Sequence, residues 1–213
     1  MKKIICLLLA LTCVFTFMSC SDKDLDALVE IIDASSPTKI TTLTTYQYGS
    51  QTFTGKFTTE IAESNSVTDY RYQRYAVLGD ADKEGVTVDG NIATVSGKVY
   101  YKNGKFSEDG ENWFAEAPDT SVVMMHLALS EDYLGDYTIT DDGMTLNASG
   151  LNKEAVKAIL GIDVSVNDAG ASLTIKTNGN YITGLSVSYV AVDTEAVVTV
   201  ESSYTYNPTV NAE

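Results

Sequence analysis

Apolar positions along this chain follow three different spacings, and each predicts a different kind of segment. From Ile4 to Met18 they are almost continuous. Leu25, Leu28, Val29 and Ile32 then fall at i, i+3, i+4 and i+7, with Asp24, Asp26 and Glu30 between them. That period predicts an amphipathic helix over 22–34, stopped by Ser35-Ser36-Pro37 because the residue before a proline avoids the helical region. Beyond it the period drops to two. Phe53, Phe57 and Ile61 form one such set, and Val95, Val99 and Tyr101 another. Leu185, Val187 and Tyr189 form a third, followed by Val198, Val200, Tyr204 and Tyr206. Alternation of this kind puts apolar side chains on one face of half-buried antiparallel strands.

The connections agree with a meander. Asp89-Gly90, Asn103-Gly104, Asp109-Gly110, Asp142-Gly143 and Asn178-Gly179 are pairs that tolerate positive φ, as tight hairpins require. Two short apolar helices are predicted among the strands. Pro118-Asp119-Thr120 can start one that runs through Val122, Val123, Met124, Met125 and Leu127 to Leu129. Asn152 can cap the other, with Leu151 and Val156 spaced as a hydrophobic staple and Gly161 as its terminating residue. A sheet of this width does not stay flat. The predicted class is therefore α+β: a strongly curved antiparallel sheet, an unclosed barrel, packed against an N-terminal helix and two short apolar helices.

The first apolar run has a different meaning. Lys2 and Lys3 precede it and Ser19 closes it, the arrangement of a cleaved export signal. It is also short for a membrane span, which needs about 20 apolar residues. Phe17-Met18-Ser19-Cys20 resembles the lipobox of bacterial lipoproteins, which implies that Cys20 is lipidated and becomes the first residue of the exported protein. Cys6 and Cys13 lie in the segment removed, so the remaining chain has no partner for an internal disulfide. Ser21-Asp22-Lys23-Asp24 resembles the acidic tract of surface lipoproteins of Bacteroidota, or is simply a solvated acidic tether. The expected organisation is a signal peptide over 1–19, a lipidated acidic tether over 20–24 and one domain over 25–213. The expected location is the outer membrane, with Cys20 as the anchor, on a face that the sequence leaves open. A net charge of −15 repels phosphates, so nucleic acid is excluded as a partner.

The order of elements carries a family likeness. Val99-Tyr100-Tyr101-Lys102-Asn103-Gly104-Lys105-Phe106, Gly110-Glu111-Asn112-Trp113, the helix over 151–160 and the closing Tyr204-Thr205-Tyr206-Asn207-Pro208 together resemble the LolA/LppX-like superfamily. The resemblance implies an unclosed barrel plugged by helices, with a cavity for acyl chains or another apolar ligand. The family's soluble carriers have no lipid anchor, which sets this chain apart from a shuttle.

Candidate chemistry is sparse. Met124, Met125, Leu127 and Leu129, with Val156 and Ile159 of the second helix, are the candidate ligand-binding residues, because methionine adapts to irregular apolar shapes. The same stripe is also what an ordinary core helix shows. His126 is the single histidine and cannot make a zinc site alone. Asp80, Asp82, Glu84 and Gly85 imitate half of a calcium loop, but Asn91 stands where a bidentate glutamate belongs, so a solvated acidic loop is expected. Thirteen tyrosines, among them Tyr46, Tyr48, Tyr70, Tyr72, Tyr100 and Tyr101, suit strands or, if exposed, glycan stacking. No phosphate loop, paired-cysteine motif or catalytic elbow is present. The sequence therefore predicts a monomeric binding protein without catalytic residues, metal or cofactor, which shelters an apolar ligand. The alternatives are a surface module for glycans or host proteins and a structural envelope lipoprotein.

Overall fold

A computed structural model describes residues 21–62, 65–115, 131–134, 136–140, 144–160, 164–192 and 194–207. The helical period is realised as α1, Ser21–Ala34, so the acidic stretch after Cys20 forms its first turn. Leu25, Leu28 and Ile32 are buried. The helix ends where expected. Ser35 Oγ donates to Ile31 O at 2.7 Å and accepts the Ile182 N–H at 3.0 Å, which fastens this end of α1 to the sheet.

Eleven strands follow: β1 (Lys39–Tyr48), β2 (Gln51–Ala62), β3 (Asn65–Tyr75), β4 (Val86–Asp89), β5 (Ile92–Lys102), β6 (Lys105–Ser107), β7 (Asp136–Ile139), β8 (Thr145–Leu151), β9 (Ala171–Thr177), β10 (Ile182–Val190) and β11 (Val197–Thr205). They form one antiparallel sheet in the order β4-β5-β3-β2-β1-β11-β10-β9-β8-β7, with β6 also on β5; the sheet is not closed. The last strand lies against the first: β11 pairs with β1 from Lys39↔Thr205 to Gln47↔Val197. This register decides which distant residues meet. Tyr46 stands opposite both Phe53 and Val198, and Val198 stands opposite Tyr189, so four strands bring these side chains to one face.

That face must be covered, because alternation leaves it apolar. Over β8 to β11 the cover comes from Leu25, Leu28 and Ile32 of α1, Leu134 of the single turn α2 (Glu131–Leu134) and α3 (Lys153–Leu160). They share one core with Leu146, Leu173, Ile175, Leu185, Val187 and Val200. Asn152 caps α3 as predicted, its Oδ1 accepting the Ala155 N–H at 2.9 Å, and both staple residues, Leu151 and Val156, are fully buried. The predicted helix over 120–129, Asp142-Gly143, Gly161 and the whole of 1–20 lie outside the described residues.

The turns differ from expectation in detail. Asn103-Gly104 is the tight hairpin predicted, with φ of 51° and 77°. Asp89-Gly90 is displaced by one: Asp89 pairs with Ile92, so Gly90 and Asn91 occupy the turn. Asn178-Gly179 belongs to a four-residue connection, in which Asn178 Oδ1 accepts the N–H groups of Asn180 and Tyr181 at 3.1 Å each. Asp109-Gly110 is no tight hairpin either. Asp109 Oδ1 gathers the N–H groups of Glu111 and Asn112 at 2.8 Å each, within a loop that brings Phe114 back to Phe106. In both cases a side chain that accepts two backbone donors stabilises a wider loop. The Gly49-Ser50 turn between β1 and β2 was not predicted.

Two substitutions separate the local and the packing contributions. Asn152→Ala is expected to lower stability by about 1 kcal/mol through loss of the cap, and Ile159→Ala by about 2–5 kcal/mol through a core cavity. Urea unfolding followed by circular dichroism measures both.

Candidate functional site

Beyond the helix-covered core, the same sheet face continues onto β1, β2 and β3, where its own aromatic rings line a groove of about 780 Å³. Tyr46, Tyr48, Phe53, Phe57, Tyr72, Tyr75, Tyr189 and Val198 form most of its surface, with Thr44, Thr54, Gln73, Arg74 and Thr194 as polar members. The size falls in the ordinary range for small-molecule sites, roughly 300–1,000 Å³.

The rings hold one another in place. Phe53 meets Tyr75 edge-on with centroids 4.8 Å apart, and Phe57 lies nearly parallel to Tyr72 at 6.4 Å. Hydroxyls fix two of them further: Tyr46 Oη is 2.6 Å from Thr194 Oγ1, and Tyr75 Oη donates to Gln51 Oε1. A glycine makes the room. Gly55 stands opposite Thr44 and Tyr72, and a Cβ there would come within 3.0 Å of the Phe57 ring and 3.2 Å of Tyr72 Cβ. Thr44 Oγ1 is buried without a hydrogen-bond partner, which leaves one unsatisfied polar atom in the groove's wall.

Arg74 is bound in an ion pair at the groove's edge. Its Nη1 donates to Asp80 Oδ2 at 2.6 Å and to Tyr75 O at 2.9 Å, and its Nη2 donates to Asp80 Oδ1 at 2.8 Å. Asp80 also accepts the Val77 N–H at 2.8 Å and Lys83 Nζ at 3.2 Å. Asp80 is therefore not the solvated acid the sequence suggests. It is 1% exposed, because the 3₁₀ turn Asp80–Asp82 directs it inward, while Asp82 and Glu84 remain exposed. The Arg74 hydrogen bonds, then the Val77 N–H and Lys83, hold its carboxyl well below the usual carboxylate range against the cost of burial. Among the described residues no group of three or more His, Cys, Asp or Glu side chains could hold a metal ion.

Two other hollows are less suited to a ligand. One of about 730 Å³ is lined by Lys56, Asp69, Arg71 and Lys98, charged side chains of the opposite face, with Lys98 and Asp69 paired at 3.1 Å. The other, about 510 Å³, lies among Lys39, Glu60, Asn65 and Asn207 at the end of the sheet away from the groove. Val156 and Ile159 line none of the three; both are sealed in the core. Met124, Met125, Leu127, Leu129, His126 and Cys20 lie outside the described residues. Of the tyrosines named from sequence, Tyr46, Tyr48, Tyr72 and Tyr189 reach the groove. Tyr75, Phe53 and Arg74 were missed, although the period-two pattern of Phe53 and Phe57 contained part of the signal.

Exposed apolar side chains gather at the end of the sheet that the groove reaches. Tyr48 and Tyr75 are about half exposed, and Val77 and Leu78 follow on the β3–β4 loop with Leu78 fully exposed. No described helix is long and apolar enough to cross a membrane. No protein-family model matches the chain, and no curated protein matches it significantly.

The ion pair fixes the sign of a pH effect. A carboxylate whose folded value lies below its unfolded one, about 3.9, contributes stability above that pH and loses it as pH falls. Asp80→Asn is expected to lower the urea midpoint at pH 7 and to flatten its decline between about pH 4 and pH 2 relative to the parent. Equal slopes in parent and variant would show that the pair contributes nothing to folding.

Proposed function

We propose that the protein is a lipid-anchored envelope lipoprotein, held to the outer membrane through Cys20, that shelters an apolar ligand on the inner face of a curved, unclosed sheet of the LolA/LppX kind. It acts by binding and not by catalysis. The observation that carries the reading is the aromatic groove: about 780 Å³, floored by Phe53, Phe57 and Val198. Exposing such rings to water costs about 25 cal/mol per Å² of apolar surface, which a hydrocarbon ligand recovers on binding. This site lies on the part of the sheet face next to the helix-covered core, whereas the sequence suggested a cavity between the sheet and the helices.

Glycan stacking is the weaker reading. It needs several ring faces open to solvent side by side, whereas Phe53 and Phe57 are buried and only Tyr48 and Tyr75 among the described lining residues are about half exposed.

Two experiments test the proposal. Thr44→Phe places a ring in the space over Gly55, whereas Thr44→Val keeps the shape. Native mass spectrometry of the delipidated protein incubated with a mixed bacterial lipid extract is expected to show adducts for the parent and Thr44→Val, and none for folded Thr44→Phe. Adducts that survive Thr44→Phe would place the ligand elsewhere. For the anchor, Cys20→Ala is expected to abolish palmitate labelling and release the protein from membranes; unchanged labelling would refute lipidation.

A further inference from the structure

The charges around the groove select among apolar ligands. Among the described residues that line it, Arg74 alone carries a formal charge; the others are aromatic, aliphatic, hydroxyl or amide side chains and Gly55. A free guanidinium at the edge of an apolar trough would favour an anionic head group such as a carboxylate or phosphate. Here that charge already has its counter-ion. Both terminal nitrogens of Arg74 face the two oxygens of Asp80 at 2.6 and 2.8 Å, and Nη1 is shared with Tyr75 O. Lys83, the second cation on Asp80, is more than half exposed and lies outside the groove's lining. A carboxylate entering the trough would be desolvated without a cation to compensate it.

The groove's other polar lining points the same way. Thr44, Thr54, Thr194 and Gln73 offer hydroxyl and amide groups, which hydrogen-bond without carrying a charge. We infer that the ligand is an uncharged amphiphile: its hydrocarbon lies along Phe53, Phe57 and Val198, and a hydroxyl, ether or ester oxygen faces the groove's uncharged polar groups. Asp80 is then a specificity-determining residue that acts through Arg74 by neutralising it. This inference rests on the proposed binding role of the groove and adds the class of ligand.

The test compares decanol with decanoate at pH 8, a pair with the same chain and different head-group charge. Binding to the delipidated parent protein is followed by isothermal titration calorimetry below the micellar range. Decanol is expected to bind more than about fivefold more tightly than decanoate, as the cost of desolvating an unpaired charge requires. A smaller preference, parity or the reverse overturns the inference while leaving the groove as a binding site. Binding of neither compound overturns the groove reading itself, and the inference with it. Asp80→Asn, checked for folding by circular dichroism, frees the Arg74 charge and is expected to shift the ratio toward decanoate by at least about fivefold. An unchanged ratio in the folded variant removes Asp80 from the selectivity. Should that variant not fold, the parent ratio alone decides the matter.

Discussion

A wide antiparallel sheet with one apolar face has to bury that face, and the rest of this structure depends on how the task is divided. From β8 to β11 the cover is conventional: Leu25, Leu28 and Ile32 of α1 and Val156, Ile159 and Leu160 of α3 close over Leu173, Ile175, Leu185 and Val187. On β1, β2 and β3 the described cover is the sheet's own rings. Phe53, Phe57, Tyr72 and Tyr75 lean on one another and shield the strands beneath. Rings packed edge-on leave hollows that aliphatic side chains would fill, so one surface is both a partial core and an open trough. The pairing of β11 with β1 joins the two regions, because Val198 and Val200 lie in register with Tyr46 and Thr44.

The polar chemistry around the trough is matched internally. Thr42 and Ser202 share a hydrogen bond at 2.6 Å, and Thr59 and Thr68 share one at 2.9 Å, all on the buried face. Asp80 and Arg74 satisfy each other at the edge. A buried ion pair of this kind seldom stabilises a fold more than apolar packing would. Its clearer consequence is electrostatic: the loop after β3 is closed without leaving a free charge beside the aromatic wall. Among the described residues, the buried hydroxyls of Thr44, Ser66 and Tyr204 are the exceptions, each without a hydrogen-bond partner.

Much of the fold is legible in the sequence, because it is written in local periods. The i, i+3, i+4 spacing of Leu25, Leu28 and Ile32 gives α1, Asn152 with Leu151 and Val156 gives α3, and the alternating sets lie in β2, β5, β10 and β11. The turns are less legible. Asn178 and Asp109 spend their side chains on backbone N–H groups, which widens the loops, and residue type alone does not reveal that choice. Gly49-Ser50 carries no Asn or Asp to announce it. The site is the least legible part. Tyr46, Phe53 and Tyr72 stand on three successive strands, but they meet Tyr189 and Val198 only through the β1–β11 register, which joins opposite ends of the chain. Asp80 resembled a calcium ligand because of its neighbours Asp82 and Glu84. Its partner lies on β3, and the turn that points Asp80 toward it is a tertiary outcome.

The proposed ligand's hydrocarbon occupies the aromatic end of the sheet face and not the seam beneath the helices. Photo-crosslinking with a neutral decyl probe bearing a diazirine, followed by peptide mapping, tests this placement directly. Labels are expected in the peptides around Thr44 to Phe57 and Tyr72 to Tyr75. Labels concentrated on α3 around Val156 and Ile159, or spread evenly over the surface, would contradict it.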